Sequence, residues 1–222
     1  SVTIQQLLNN PDGAAPAIGT PGREAMTYDG LRGQIDTTIA ALNAMGVGRG
    51  DRVAIVLPNG PEMASAFICI GAAATTAPLN PNYRGEEFEF YLDDLQPKLL
   101  VVADGTDSPA VASAHKLGIN VASLLRKESD PAGKFELLGE PVANSSLMTG
   151  PALADDIALV LHTSGTTSRP KLVPLTQQNI CASARNVAHS LSLESSDKCL
   201  NIMPLFHIHG LIAAVMGSLH AG

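Results

Sequence analysis

Positive charge is in short supply: 14 Lys and Arg stand against 21 Asp and Glu, a net charge of −7 over 222 residues. The basic residues are scattered and no aromatic side chains interleave with them, which excludes an electrostatic nucleic-acid face. Cysteine is equally scarce. Cys69, Cys181 and Cys199 stand apart in apolar surroundings without C-x-x-C spacing. A disulfide framework and a cysteine metal site both fall away, and reduced, buried thiols of an intracellular protein are expected. Long apolar runs are missing too. The longest, Ala64 to Ala74, contains Ser65 and Gly71 and is too short for a bilayer, and no secretory leader opens the sequence. A soluble, cytoplasmic protein is expected. There are no internal repeats or low-complexity segments, and no G-x-S-x-G sets up a hydrolase nucleophile. What is present, 45% hydrophobic against 16% charged residues, suits a globular fold. A chain of this length can bury a substantial core as one large domain or two small ones.

The order of elements predicts an α/β architecture. A short helix near Thr3 to Leu8 gives way to a turn-rich stretch with room for a small strand near Ala17 to Thr20. Thr27 then reads as an N-cap, and Leu31, Ile35, Ile39, Leu42 and Met45 recur at helical spacing until Gly46. Arg52 to Leu57 is a continuous apolar run of strand length, stopped by Pro58 and Asn59. Pro61 opens an Ala-rich helix to about Ala73. Strands at Thr75 to Leu79, Lys98 to Val102 and Asn120 to Ala122 alternate with helices at Glu86 to Leu95 and Pro109 to Leu117. That alternation predicts a largely parallel sheet flanked by helices on both faces. From Arg126 to Ala154 the pattern dissolves into turn residues, with a hairpin candidate around Phe135 to Leu138. Thr176 is predicted to cap a helix running to about Leu191, Cys199 to Met203 to form another strand, and an apolar helix to follow from Ile208.

Two constellations stand out. The first is Leu161 to Leu175, L-H-T-S-G-T-T-S-R-P-K-L-V-P-L. Thr163, Ser164, Thr166, Thr167 and Ser168 carry hydroxyls around Gly165, and Arg169 and Lys171 follow. Hydroxyls and the backbone N–H groups beside a glycine can curl about phosphate oxygens, and a lysine adds a point charge. An isolated S-G-T-T is more often a solvated turn. Here apolar runs on both sides predict two buried strands, and a polar loop slung between them usually has a function. It is not the Walker loop, since Gly165 has no second glycine and Lys171 is followed by Leu172. The second constellation, M-P-L-F-H-I-H-G-L from Met203 to Leu211, puts His207 and His209 after a predicted strand. H-x-H could suggest a metal, but third and fourth ligands are missing. A strand end is where ligands collect in open α/β sheets.

T-S-G-T-T-S-R-P-K resembles the phosphate-binding signature of the adenylate-forming superfamily, which includes acyl-CoA synthetases, luciferases and peptide-synthetase adenylation domains. P-L-F-H-x-H-G-L, a T-Y-x-x-L helix start and a G-D-R-V-A-I strand are similar to that family as well. Together the loop and the histidine motif look most like the oxalate–CoA ligase branch. The resemblance implies the fold of an incomplete N-terminal AMP-binding domain. Residues 1–50 would lead in, 51–203 would form the α/β subdomain with the phosphate loop at 163–171, and 204–222 would begin the next subdomain. It implies ATP, Mg²⁺ and CoA as co-substrates or cofactors and a small carboxylic acid as substrate. Thr163, Ser164, Gly165, Thr166, Thr167, Ser168 and Lys171 would hold the phosphates, with Lys171 and His207 taking part in catalysis.

In this family His207 would lie beside the carboxylate under activation, where peptide-synthetase domains usually carry aspartate, so histidine implies a plain acid. His209 stands where fatty-acid and hydroxycinnamate ligases have apolar or aromatic residues. It implies a small polar acid such as a dicarboxylate. The alternatives are a fatty-acid or aryl-acid CoA ligase, or a non-catalytic nucleotide-binding module. The family usually has glycine at Leu172, a departure that bears on nucleotide affinity. The family's adenine, ribose and magnesium segments and its C-terminal domain with a catalytic lysine have no counterpart after His209. The chain is therefore expected to be the first part of a longer enzyme, inactive alone. A C-terminal tripeptide in the missing part could send the enzyme to peroxisomes.

Overall fold

The structure is a computed structural model that describes residues 2–163 and 170–222. In chain order its elements are α1 (Ile4–Leu7), β1 (Pro16–Ile18), β2 (Met26–Thr27), α2 (Tyr28–Ala44), β3 (Arg52–Val56), α3 (Pro61–Gly71), β4 (Thr75–Pro78), α4 (Gly85–Leu95) and β5 (Leu99–Ala103). They continue as α5 (Pro109–Lys116), β6 (Asn120–Leu125), β7 (Glu136–Leu138), β8 (Ile157–Thr163), β9 (Lys171–Thr176), α6 (Gln177–Ser190), a π-helix (His209–Met216) and α7 (Gly217–Ala221).

Seven strands form one sheet in the order β7-β6-β5-β3-β4-β8-β9, and β1 and β2 make a separate two-stranded ribbon. The five central strands are parallel, whereas β7 and β9 run antiparallel at the two edges. The central strands are buried on both faces, which is why R-V-A-I-V and L-L-V-V-A read as continuous apolar runs. Alternate side chains feed two cores. Val53, Ile55, Leu99 and Val101 join the cluster under α2, α3 and α6. Ala54, Val56, Leu100 and Val102 join the cluster under α4 and α5.

Local signals set the helix ends. The Thr27 hydroxyl accepts a hydrogen bond from the Gly30 N–H at 3.1 Å, capping α2. All five apolar residues of the α2 repeat are buried, and Gly46 closes the helix at φ +81°. Thr176 caps α6 in a capping box with Asn179. Gly71 at the end of α3 meets α6 through Gln177, which is fully buried at the base of the latter. The Gln177 amide donates to the Gly71 carbonyl, and its oxygen accepts from the Ile4 N–H at 3.0 Å.

Two expectations need correction. Cys199 to Met203 is not a strand: the segment is irregular, Cys199 is exposed, and Leu200 and Ile202 are 85% and 81% exposed. A short apolar segment becomes a strand only where a partner strand can satisfy its backbone, and no strand pairs with this segment among the described residues. β9 is a strand, but a half-exposed one at the sheet edge and not a buried one. Pro174 within it removes a ladder donor, which an edge tolerates.

Replacing Gln177 by leucine keeps the volume but strands the Ile4 N–H and the Gly71 carbonyl in the core. Gln177→Leu is expected to lower unfolding free energy by about 2–4 kcal/mol, read from chemical denaturation. A change below about 0.5 kcal/mol would show that these bonds carry little.

Candidate active site

Thr163 ends β8 and Lys171 begins β9, and the two face each other as Cα partners at the end of an antiparallel hairpin where its strands connect. The Thr163 hydroxyl donates to the Lys171 carbonyl at 3.5 Å, and both side chains are exposed. Ser164, Gly165, Thr166, Thr167 and Ser168, the remaining predicted phosphate ligands, lie outside the described residues, as does Arg169. Because β8 is parallel to β4, and β4 to β3, this hairpin opens at the carboxyl edge of the sheet.

The histidine segment reaches the same edge through a residue that reads in sequence only as a strand breaker. Asn59 follows β3. Its side-chain oxygen accepts from the Leu205 N–H at 2.8 Å, and its amide donates to the Met203 carbonyl at 3.3 Å. One side chain thus holds the backbone just ahead of His207. The turn is tightened by the His207 N–H donating to the Pro204 carbonyl at 3.3 Å. A Cβ at Gly210 would lie 2.5 Å from that carbonyl oxygen, so glycine alone fits there. His207 and His209 are both exposed, and the Phe206 ring sits 4.6 Å from the His207 ring. His209 is the first residue of the π-helix. Among the described residues, the structure therefore puts Thr163 and Lys171 on the hairpin and the imidazoles on a strap hung from Asn59, at one edge of the sheet.

Behind the hairpin lies a pair that no sequence motif marks. His162 Nε2 is 3.0 Å from Asp94 Oδ2 on α4, with the two side chains 8% and 18% exposed. The Tyr91 ring meets the imidazole edge-on at 4.6 Å and itself stacks on Tyr83. Burial pushes the His162 pKa below its usual value, against a smaller upward pull from Asp94. Opposite His162 across the hairpin is Leu172, half-buried against the α4-side core.

Residues 5–222 match the AMP-binding enzyme family. The chain belongs to that family. It is 41% identical over 234 residues to an oxalate–CoA ligase of Arabidopsis thaliana, a match covering 100% of this chain and 44% of that protein. It is 39% identical over 194 residues to an oxalate–CoA ligase of Saccharomyces cerevisiae, covering 77% of this chain and 35% of the other. Among solved structures, apo MatB from Rhodopseudomonas palustris superposes with a TM-score of 0.80 at 25% identity, covering 99% of this chain and 44% of that one. The chain thus spans less than half the length of these AMP-binding enzymes. Among the described residues, no helix is long and apolar enough to cross a membrane.

Two outcomes follow from this geometry. Asn59→Ala removes the acceptor of the Leu205 N–H, and hydrogen exchange at that amide is expected to accelerate, at a stability cost of about 1–2 kcal/mol. Unchanged protection at Leu205 would show that Asn59 does not hold the strap. For His162 the folded pKa is depressed, so its stabilising preference for the neutral ring is full above the unfolded value of about 6.5 and is lost as pH falls below it. The stability advantage of wild type over His162→Gln is expected to shrink between pH 7.5 and 5.5 in parallel melts.

Proposed function

We propose that this chain supplies the phosphate-binding edge of an AMP-forming acid–CoA ligase acting on a small carboxylic acid, with oxalate as the favoured substrate. The observation that carries the reading is the shared edge: a hydroxyl and a lysine on one hairpin and two exposed imidazoles on a strap fastened at the end of β3, two strands away from β8 in the same sheet. Family membership and the two oxalate–CoA ligase relatives support it.

In the proposed reaction a carboxylate oxygen attacks the α-phosphorus of ATP. The α–β bridging bond breaks, and pyrophosphate leaves with that electron pair. The thiol of CoA then attacks the acyl carbon, loses its proton and expels AMP, leaving the thioester. The chain's part is positioning and charge stabilisation. Thr163, Lys171 and, outside the described residues, Ser164, Gly165, Thr166, Thr167 and Ser168 would hold the β- and γ-phosphates as pyrophosphate departs. His207 would orient the carboxylate, and His209 would line the acyl pocket, its imidazole suiting a second carboxylate better than a hydrocarbon tail. Among the described residues no group of three or more His, Cys, Asp or Glu side chains could hold a metal ion. The chemistry assigned to this chain runs through its hydroxyls, lysine and imidazoles, and magnesium bound with the nucleotide would supply further charge stabilisation at the phosphates.

With the full-length ligase, oxalate-dependent ATP–pyrophosphate exchange and CoA-dependent AMP release are expected to exceed those with medium-chain acids. Lys171→Ala is expected to lower the exchange rate about 100-fold or more. His209→Leu should shift preference away from oxalate. Exchange that is strong with medium-chain acids and absent with oxalate would defeat the substrate assignment alone. No exchange with any acid would leave a non-catalytic nucleotide-binding module as the reading.

A further inference from the structure

The half-buried aromatic and acidic face of α4 under the hairpin has no part in the reaction as proposed, yet it contacts the residue directly before Thr163. We infer that His162 is a positioning residue, locked by Asp94 and Tyr91 so that Thr163 and Lys171 face the nucleotide's phosphates. This rests on the phosphate-binding role proposed for that hairpin.

The argument is one of strand geometry. Successive side chains of a strand point to opposite faces, and directly opposed residues of an antiparallel pair share a face. His162 and Leu172 are opposed, and both lie on the α4 side; Thr163 and Lys171, one residue on in β8 and one residue back in β9, are opposed on the other. Anything that fixes the roll of the strand at His162 therefore fixes where Thr163 and Lys171 aim. Three contacts fix it. Asp94 holds Nε2 at 3.0 Å, Tyr91 closes on the ring edge at 4.6 Å, and Leu172 packs into the core under α4. Tyr91 is in turn stacked on Tyr83 at 4.8 Å with 9° between planes, and Tyr83 meets Phe88 edge-on at 5.7 Å. Phe88 is fully buried, so the chain of rings runs from the core to the hairpin tip. Among the described residues the edge strand β9 pairs with a strand on one side only and contains a proline, so side-chain anchors such as His162 carry more of the load at this end of the hairpin. A charge-assisted bond anchored on a helix suits that task.

The test uses the full-length ligase, with kinetics normalised to active enzyme. His162→Ala and Asp94→Ala are each expected to raise the KM for ATP about tenfold or more while the KM for the carboxylate stays in place. Since both remove one contact, the double variant should be no worse than either single one. His162→Gln, whose amide can still donate to Asp94, should recover most of the loss. A merely structural histidine would instead lower the melting temperature or the active fraction and leave the ATP KM unchanged, and that result would overturn the inference. Hydrogen exchange across residues 161–163 and 171–173 gives a readout independent of activity. Faster exchange there in His162→Ala supports the anchor, and unchanged exchange sinks it. Absence of pyrophosphate exchange in the unmodified enzyme would instead defeat the proposed function, leaving the anchor to be decided by amide exchange.

Discussion

Thr75 and Thr76 each donate a side-chain hydrogen bond of 2.7 Å, to the carbonyls of Ile157 and Ala158 respectively. These two hydroxyls fasten β8 to β4 at a junction where the strand ladder itself registers one pair, Thr76 with Leu159. The junction matters because, among the described residues, β9 joins the sheet through β8 and β8 joins it through β4. Each hydroxyl gives its carbonyl a donor that valine of the same shape would lack. Below this junction, Asp156 is held by Arg49 through a 2.6 Å ion pair that keeps its carboxyl below the ordinary aspartate pKa. The strand is thus pinned at its entry and along its flank before it delivers Thr163.

The elements most legible in sequence are those whose rule is local. The α2 repeat, the Thr27 and Thr176 caps and the short apolar runs of β3, β4 and β5 each state their structure within a few residues. What was hidden depends on partners far along the chain. Asn59 reads as a strand breaker because nothing nearby reveals that its amide will meet backbone groups 144 and 146 residues later. Cys199 to Met203 reads as a strand from its run of mostly apolar residues, yet among the described residues no strand pairs with it, and Cys199, Leu200 and Ile202 stand in solvent. The same limit explains β9. Leu172, Val173 and Leu175 look like a buried run, but burial is decided by the sheet order, which puts that strand outermost.

The candidate site was legible in a different way. Thr163, Lys171, His207 and His209 were marked by motif, and the motif says nothing about what supports them. The supports, Asn59 beneath the histidine strap and Asp94 and Tyr91 behind the hairpin, carry no signature of their own. They are ordinary residues made specific by topology. Leu172 shows the value of seeing both. As a replacement for the family's usual glycine it suggests a side chain restricting the phosphate loop. In the fold that side chain packs on the core under α4, opposite His162. The added side chain therefore lies on the face of the hairpin opposite to that of Thr163 and Lys171.

Sheet geometry also bears on how the two constellations could act together. Thr163 leaves β8 and Asn59 follows β3, with β4 between them, so their strands are two spacings apart, about 10 Å. A triphosphate gripped at its far end by the hairpin would run along the edge toward the strap. Its α-phosphorus would then arrive where His207 can present a carboxylate, with pyrophosphate pointing back at Lys171. Under the proposed function, that arrangement would put attacking and leaving oxygens on opposite sides of phosphorus, the geometry an in-line displacement requires. Because one anchor ends β8 and the other closely follows β3, the spacing of the strands beneath them is set by the backbone ladder. Binding and alignment then become the same event, which is the advantage of building such a site on a sheet edge.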